Sequence, residues 1–168
     1  MEYNARFFGT ICAMEFTLEG VERFIVRAKQ HTYIGNGPKL LPYRLGSSDL
    51  QFGEGDWTYH DSYFGESDFI GQEIVYWRKN PVWGMNYFGV ILQYEKITAV
   101  AVGRMLRESL SLMYGEGRFL GGFEHLSGAL TYMDHNEGNV QRLRGREQIL
   151  LAGEVVYELV YHGGLLRF

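Results

Sequence analysis

Two carboxylates in the middle of the sequence occupy positions where acidic residues are uncommon. Asp61 lies within the aromatic segment WTYHDSY at 57–63, and Glu73 lies within FIGQEIVYW at 69–77. Both segments have the composition of β-strands, in which aspartate and glutamate are depleted. Two carboxylates on one half-buried sheet face could act as general acid and base, or could line a polar binding pocket. A structural alternative is that each accepts hydrogen bonds from tyrosine hydroxyls or turn amides. We prefer the pocket to catalysis, because structural networks perturb carboxylates as well.

The strand register decides which of these side chains meet. If the turn RKNP closes symmetrically, Glu73 lies directly across from Asn86 on one sheet face. A five-residue connection before the strand of Glu73 would pair Tyr59 with Glu73 and keep Asp61 on that face. A four-residue connection would pair His60 with Glu73 and turn Asp61 away, and the sequence does not choose between the two. The predicted ligand-binding residues are Tyr59, Asp61, Glu73, Trp83, Asn86 and His162.

The sequence contains no motif of a known cofactor, metal or nucleophile site. His125 and His135 are too far apart for a helical pair of zinc ligands, and no HExxH occurs. The single cysteine, Cys12, excludes an internal disulfide and has no evident partner base. Neither a GxSxG motif nor a P-loop nor a dinucleotide fingerprint is present. We predict no cofactor, no metal and no catalytic residue; the alternative is a hydrolase or isomerase that uses Asp61 and Glu73.

A second pair of acidic residues raises a question of register near the C-terminus. A two-residue turn at 152–153 would place Glu147 opposite Glu158, where like charges repel. Either the register differs, or a cation such as Arg146 or Arg167 lies between them. The register shift is the simpler explanation.

Composition and charge restrict the class of protein. The net charge is -4, with 16 basic and 20 acidic residues, which argues against direct nucleic-acid binding by this chain. The dense basic stretch Arg142, Arg144 and Arg146 is interpreted as one face of a solvated edge strand. The single cysteine fits a reducing compartment, and the apolar segment 7–16 lacks the positive flank of a signal peptide. No run is long enough to span a membrane, so we predict a soluble cytoplasmic protein.

Apolar periodicity and turn residues predict the elements that position these side chains. Helices are expected at 17–31, with Thr17 as N-cap, and at 97–114. Strands are expected at 48–52, 57–64, 69–77 and 82–92, with a C-terminal hairpin at 147–151 and 155–161. The segment 124–132 is expected to be a short helix or irregular. The predicted fold class is α+β, a curved antiparallel sheet (a four-strand meander plus the C-terminal hairpin) packed against two or three helices. No internal repeat or linker appears, so we predict one domain over residues 1–168.

A family resemblance runs through four segments: YHDSYFG at 59–65, FIGQE at 69–73, PVWGMNYFG at 81–89 and GREQILLAGEVVYELVYHGG at 145–164. They resemble a bacterial domain of unknown function (DUF5680-like), and the likeness extends from about Phe24 to Arg167. That family also occurs behind XRE-type helix-turn-helix domains in transcriptional regulators. The resemblance implies the sensor half of a regulator and assigns no catalytic residue. Because no DNA-binding module precedes the region here, regulation would act through a partner chain.

The function predicted from these observations is ligand sensing. The leading hypothesis is a cytoplasmic small-molecule-binding module whose ligand contacts the sheet face around Asp61 and Glu73. A third hypothesis, beside the binding module and the enzyme, is a protein-interaction module, such as a homodimer assembled through an open sheet edge.

Overall fold

The computed structural model describes residues 16–35, 40–119 and 121–167. Cys12 and most of the apolar segment at 7–16 lie outside these residues, so the expectations for them stay predictions. None of the helices in the described ranges is long and apolar enough to cross a bilayer.

The first helix, α1, spans Leu18–Lys29 and continues into a short π-helical segment, Gln30–Ile34. Thr17 is the N-cap, as predicted, and its hydroxyl accepts a hydrogen bond from the backbone N–H of Gly20 at 3.0 Å. The change to π-helical hydrogen bonding ends the regular α-helix earlier than the sequence pattern indicates. The predicted apolar stripe is confirmed, because its members are fully buried: Val21, Phe24, Ile25 and Ala28.

The second helix, α2, spans Ala99–Gly115 and begins in the same way as α1. Its N-cap is Thr98, whose side chain accepts a hydrogen bond from the N–H of Ala101 at 3.2 Å. The predicted apolar face is buried, with Val102, Leu106, Leu110 and Met113 among its members.

Eight strands form one antiparallel sheet, which confirms the α+β class. Their bounds are β1 Ser48–Glu54, β2 Trp57–Gly65, β3 Phe69–Trp77, β4 Asn80–Ile91, β5 Phe123–Ser127, β6 Leu130–Asn139, β7 Arg142–Leu151 and β8 Glu154–Leu165. The strand order is β1-β2-β3-β4-β8-β7-β6-β5, so β4 and β8 lie side by side at the centre. Helix α1 packs near β1 and β2, and α2 packs near β5 and β6. The first meander is present as predicted, but the predicted hairpin is half of a second four-strand meander.

Two further expectations about the C-terminal half are wrong. Residues 124–132 are neither helical nor irregular, because β5 and β6 pair through a tight turn at Gly128, whose φ of 61° suits glycine. The arginines at 142, 144 and 146 do lie on one exposed face, as their alternation indicates. Their strand, β7, is not an edge strand, since it pairs with β6 on one side and β8 on the other.

The chain is built from two similar halves, although the sequence showed us no repeat. Each half consists of a threonine-capped helix followed by four antiparallel strands, α1-β1-β2-β3-β4 and then α2-β5-β6-β7-β8. The halves meet where β4 pairs antiparallel with β8, which is the arrangement of a local two-fold axis. Equivalent residues follow from the strand pairing. Tyr59 and Asp61 in β2 correspond to Tyr132 and Asp134 in β6, Gly71 and Glu73 in β3 to Gly145 and Glu147 in β7, and Tyr87 in β4 to Tyr161 in β8.

The connection between β2 and β3 settles the first question of register. Only three residues, at 66–68, separate Gly65 from Phe69, and Asp61 pairs directly with Glu73. Both registers considered from the sequence are therefore wrong, since each assumed a longer connection. Asp61 and Glu73 nevertheless share one sheet face, because directly paired residues project to the same side.

Irregularities near two turns settle the other registers. A shift between Val75 and Tyr76 places Met85 opposite Glu73, so the expectation that Asn86 faces Glu73 is wrong. The equivalent shift in the second half lies between β7 and β8, after Ile149. It places Leu159, rather than Glu158, opposite Glu147, as predicted. The separation of the two acidic residues of that hairpin is thus confirmed.

Candidate functional site

A cavity of about 90 Å³ lies between the two helices and the covered face of the sheet. Both halves contribute to it, so the cavity lies where the local two-fold relation brings them together. Its ionisable lining consists of Lys29, Asp61, Glu73 and Glu147, together with Tyr33, Tyr59, Tyr87 and Tyr114. The apolar walls include Phe69, Met85, Leu106, Leu110 and Leu159.

A buried ion pair dominates the first half of the cavity. Lys29 Nζ lies 2.8 Å from Glu73 Oε1, and the side chains are only 14% and 8% exposed. The same ammonium group lies 5.8 Å from the centre of the Tyr114 ring, a cation–π distance. Burial works against the charge on Lys29, but the attraction of Glu73 outweighs it and raises the pKa of Lys29. The second carboxylate oxygen of Glu73, Oε2, is buried and has no hydrogen-bond partner among the described residues.

Asp61 lies beside this ion pair in a different protonation environment. The Tyr87 hydroxyl donates a hydrogen bond to Asp61 Oδ1 at 2.7 Å, and Asp61 itself is 6% exposed. Burial, followed by the negative charge of Glu73, raises the pKa of Asp61 to about 7. Two adjacent carboxyl groups therefore have different surroundings: Glu73 is paired with an ammonium group, whereas Asp61 accepts a hydrogen bond from a tyrosine and has a raised pKa.

The second half repeats this arrangement with one change. Tyr161 donates a hydrogen bond to Asp134 at 2.8 Å, as Tyr87 does to Asp61. Burial, followed by the charge of Asp134, raises the pKa of Glu147 to about 8. Within the described ranges, no lysine, arginine or histidine lies within ion-pair distance of Glu147.

The sequence analysis missed Lys29, Asp134 and Glu147 as members of this site. Glu147 entered the sequence analysis only through its strand register, and Lys29 and Asp134 were not singled out. The missed signal is the pattern TY-x-D-x-x-x-G, which occurs at 58–65 and again at 131–138. An alignment of the two segments would have marked the second set of acidic residues.

The six predicted site residues fall into two groups on opposite faces. Tyr59, Asp61 and Glu73 line the cavity. Trp83 lies on the same covered face but is fully buried, and its indole N–H donates to the Val140 carbonyl at 3.1 Å, which is a structural contact. Asn86 and His162 pair with each other across β4 and β8 on the exposed face.

The exposed face around Asn86 forms a broad, open groove of about 1050 Å³. Gln72 Nε2 donates to Asn86 Oδ1 at 3.0 Å, and His162 and Arg144 continue this row across the sheet. Its polar groups are solvated, whereas the polar groups of the cavity, apart from that of Tyr33, are buried or half-buried. We therefore take the cavity, rather than the groove, as the candidate site.

His60, which the sequence places next to Asp61, belongs to a separate structural cluster. Its Nε2 lies 2.9 Å from Asp49 Oδ1, and Asp49 also accepts hydrogen bonds from the Ser47 hydroxyl and the Tyr43 N–H. Although burial opposes ionisation, these hydrogen bonds lower the pKa of Asp49 to about 2. The cluster ties the loop before β1 to the sheet.

The family assignment follows from a comparison of the whole chain with known families. A family model, Domain of unknown function (DUF5680), matches residues 61–166, which is more than half of the chain. The chain belongs to the DUF5680 family. No curated protein and no solved structure gave a match. The matched region begins at Asp61 and contains Glu73 and Glu147, whereas Lys29 lies before it.

The arrangement found in this DUF5680 chain can bind a polar ligand in a partly apolar enclosure. It holds one ammonium group, carboxyl groups with different proton affinities and several tyrosine hydroxyls around a small space. No group of three or more His, Cys, Asp or Glu residues in the described ranges is placed to hold a metal ion. Binding through ion pairs and hydrogen bonds is therefore the chemistry that these residues offer.

A prediction about packing follows from the contact between Gly71 and Tyr87. A Cβ atom added to Gly71 would overlap the hydroxyl and ring of Tyr87, and Gly145 stands in the same relation to Tyr161. We expect Gly71→Ala to push Tyr87 away from Asp61 and to lower the free energy of unfolding by about 1–3 kcal/mol. Urea denaturation would measure this change.

Gly103 in α2 provides the matched control for this substitution. A Cβ atom at Gly103 would meet nothing within 4 Å. Gly103→Ala should therefore stabilise the protein by about 0.5–1 kcal/mol, because alanine favours a helix interior. Equal stability of Gly71→Ala and the wild type would contradict the assigned contact.

Proposed function

We propose that this DUF5680 chain is a small-molecule-binding module whose ligand occupies the cavity under α1 and α2. The observation that carries the proposal is Glu73 Oε2, a buried carboxylate oxygen without a hydrogen-bond partner on a residue that lines the cavity. An unsatisfied buried acceptor costs about 1–3 kcal/mol, so proteins rarely keep one without a compensating role. A ligand that donates a hydrogen bond or carries a positive charge would satisfy it.

We also place this binding activity in a regulatory context in the bacterial cytoplasm. The support is the resemblance to domains that follow helix-turn-helix modules in transcriptional regulators. In this proposal the ligand changes the packing of α1 and α2 over the sheet, and a partner chain reads that change. The chain itself does not contact nucleic acid, in keeping with its net charge of -4.

The proposed binding site can be tested with a thermal-shift screen of cationic, neutral and anionic metabolites. Hits should raise the melting temperature of the wild type by a few degrees and should raise that of Glu73→Gln clearly less, because the amide removes the charged acceptor. Asn86→Ala, on the exposed face of the sheet, is the control and should respond like the wild type. If every hit stabilises wild type and Glu73→Gln alike, the cavity is not the binding site.

A second candidate function is supported by the direct pairing of Asp61 with Glu73. The raised pKa of Asp61, about 7, suits a general acid, and the lysine-paired Glu73 beside it provides a second carboxyl group, as acid–base catalysis needs. We rank an enzyme second, because Tyr87 and Lys29 each already bond one oxygen of the two carboxyl groups that would act on a substrate. Turnover of a hit compound that is abolished in Asp61→Asn would reverse this order.

A homodimer is the third candidate. Phe88 in β4 lies between Ile70 and Val160 on neighbouring strands of the exposed face, and these side chains are 46%, 55% and 40% exposed. Such an apolar row suits contact with a second copy. A monomeric mass in light scattering at high protein concentration would exclude this assembly.

A further inference from the structure

The two halves of the cavity differ at one position that matters for charge. Counted from the N-caps Thr17 and Thr98, Lys29 in α1 corresponds to Leu110 in α2. Both residues line the cavity, as do the equivalent glutamates Glu73 and Glu147. The first glutamate therefore has an ammonium partner at 2.8 Å, whereas the second has a leucine at the equivalent helix position.

The cavity consequently has more carboxyl groups than cations. Three carboxyl groups and one ammonium group line it, and Asp134 adds its charge to that of Glu147. Glu73 Oε2 is an independent indication of a ligand site. Glu73 is 6% exposed, and this oxygen has no hydrogen-bond partner in the described residues. Both features, a glutamate without a cation within ion-pair distance among the described residues and a buried oxygen without a hydrogen-bond partner, favour a donor with positive charge.

We propose that the ligand of this cavity is a small primary ammonium ion that binds between Glu73 Oε2 and Glu147. Its ammonium group takes at Glu147 the place that Lys29 Nζ takes at Glu73, and its alkyl part lies against Leu106, Leu110 and Leu159. This inference rests on the proposed binding function and names the chemical class of the ligand. It requires no covalent step.

Other classes of ligand fit the cavity less well. The single ammonium group that lines the cavity is already paired with Glu73, which leaves an anion no free cationic partner there, and the described residues do not provide the carboxylate set that a metal ion requires. The apolar walls favour a ligand with a hydrocarbon part, and Tyr114, which already lies over one ammonium group, suits a second cation nearby. A neutral alcohol could donate a hydrogen bond to Glu73 Oε2, but it would leave the charge of Glu147 uncompensated.

Binding of a cation should depend on pH in a defined direction. Burial, Asp134 and, more weakly, Glu73 outweigh the opposing effects of Lys29 and the Tyr132 hydroxyl and raise the pKa of Glu147 to about 8. This carboxyl group therefore holds a proton at pH 6 that the ligand must displace. Affinity for an ammonium ion should therefore rise at least about tenfold from pH 6 to pH 8, as the competing proton is lost. The pKa of an alkylammonium ion lies above this range, so the ligand stays charged.

Isothermal titration calorimetry with three matched probes tests the proposal. The probes are n-butylammonium, n-butanol and butyrate, which have similar overall length and differ in charge. The wild type should bind n-butylammonium at pH 8 and should bind n-butanol and butyrate at least about tenfold more weakly, since a hydrogen bond to a charged group accounts for a factor of ten or more. The measured heat should change with the ionisation enthalpy of the buffer, because the ligand displaces a proton.

Three variants locate the site. Glu147→Gln should weaken n-butylammonium binding at least about tenfold and remove most of its dependence on pH. Leu110→Lys should abolish the binding, because it supplies from within the chain the ammonium group that the ligand would bring. Glu137→Gln, which changes an exposed glutamate paired with Arg144, should bind like the wild type.

The outcomes separate this inference from the proposed function. Equal binding of n-butylammonium and n-butanol, or full binding by Glu147→Gln, overturns the ammonium class. If a neutral or anionic metabolite from the thermal-shift screen binds and needs Glu73, the binding function stands and the ammonium class is wrong. If no compound of any charge depends on Glu73, both proposals fail.

Discussion

Replacing Lys29 with methionine is expected to lower the free energy of unfolding by about 3–5 kcal/mol at pH 7.5. Methionine has an apolar side chain similar in length to the stem of lysine, but it lacks the ammonium group that lies 2.8 Å from Glu73. Glu73 is then a buried charge without a partner, and it must either remain ionised at high cost or take up a proton. Because each pH unit of forced protonation costs about 1.4 kcal/mol, the loss should shrink by about 2 kcal/mol between pH 7.5 and pH 6. Urea denaturation at the two pH values measures both quantities.

Arg27→Met is the matched control for Lys29→Met. Arg27 lies in the same helix and pairs with Glu54 at 2.8 Å, but those side chains are 41% and 50% exposed. Removing this surface pair should change stability by less than about 1 kcal/mol. The double variant Lys29→Met with Glu73→Gln should recover most of the lost stability, because it leaves no buried charge. A loss after Lys29→Met no larger than that after Arg27→Met would contradict the assignment of a buried ion pair.

The stability of the wild type should fall as the pH rises from 6 to 8, by about 2–4 kcal/mol. In the folded protein the pKa values of Asp61 and Glu147 are about 7 and about 8, above ordinary carboxyl values of 3.8 and 4.5. A group whose pKa is raised on folding contributes stability that is complete below its unfolded pKa and is lost as the pH passes its folded pKa. Asp49 has the opposite shift, and its contribution is lost only in acid, well below this window.

Glu147→Gln should remove about half of this pH dependence. The amide cannot ionise, so the variant loses one of the two protons that the folded state holds between pH 6 and pH 8, and its stability at pH 8 should equal or exceed that of the wild type. Glu137→Gln, an exposed change on β6, should leave the pH profile as it is. Urea denaturation at half-unit steps of pH provides the comparison. A flat wild-type profile, or an unchanged slope in Glu147→Gln, would show that these carboxyl groups are ionised in the folded state at neutral pH.

Protonation and the proposed ligand would act on the same cavity. Glu147, one of the two carboxyl groups expected to make the protein less stable at high pH, is also one of the two that the proposed ammonium ligand would contact. Ligand binding and protonation should therefore stabilise the fold in the same way and compete with each other. Under the proposed function, such a site would convert the presence of a cation into tighter packing of α1 and α2 on the sheet.

Local features of the chain were readable from the sequence because local physics produces them. The hydroxyl of Thr17 caps α1 through a contact three residues away, and the strands of the first meander follow from aromatic residues and turn chemistry. Asp61 and Glu73 were identified for the same reason. A carboxylate within an aromatic strand segment is unusual, and this can be seen from the adjacent residues alone. The family was recognised in the same residues and is confirmed by the match over 61–166.

The tertiary structure decided which of these residues meet. Side chains alternate between sheet faces, so the three-residue connection before Phe69 and the irregularity after Val75 each determine which side chains share a face. These shifts bring Asp61 to Glu73 and send Asn86 to the opposite face. A strand pattern cannot reveal them, because each depends on how a turn and its neighbouring strand pack.

Lys29 and Glu147 show the same limit over a longer range. Lys29 reaches Glu73 across 44 residues of sequence, and Glu147 enters the cavity only because β4 and β8 join the two halves. The sequence by itself determined the helices, the strands of the first half and two of the acidic residues, since these depend on contacts between near neighbours. The sequence did not determine the cavity, which contains one lysine among its described lining residues and places Glu147 without a cation within ion-pair distance. The cavity forms only when the two halves pair, and that pairing is made by contacts between residues far apart in the chain.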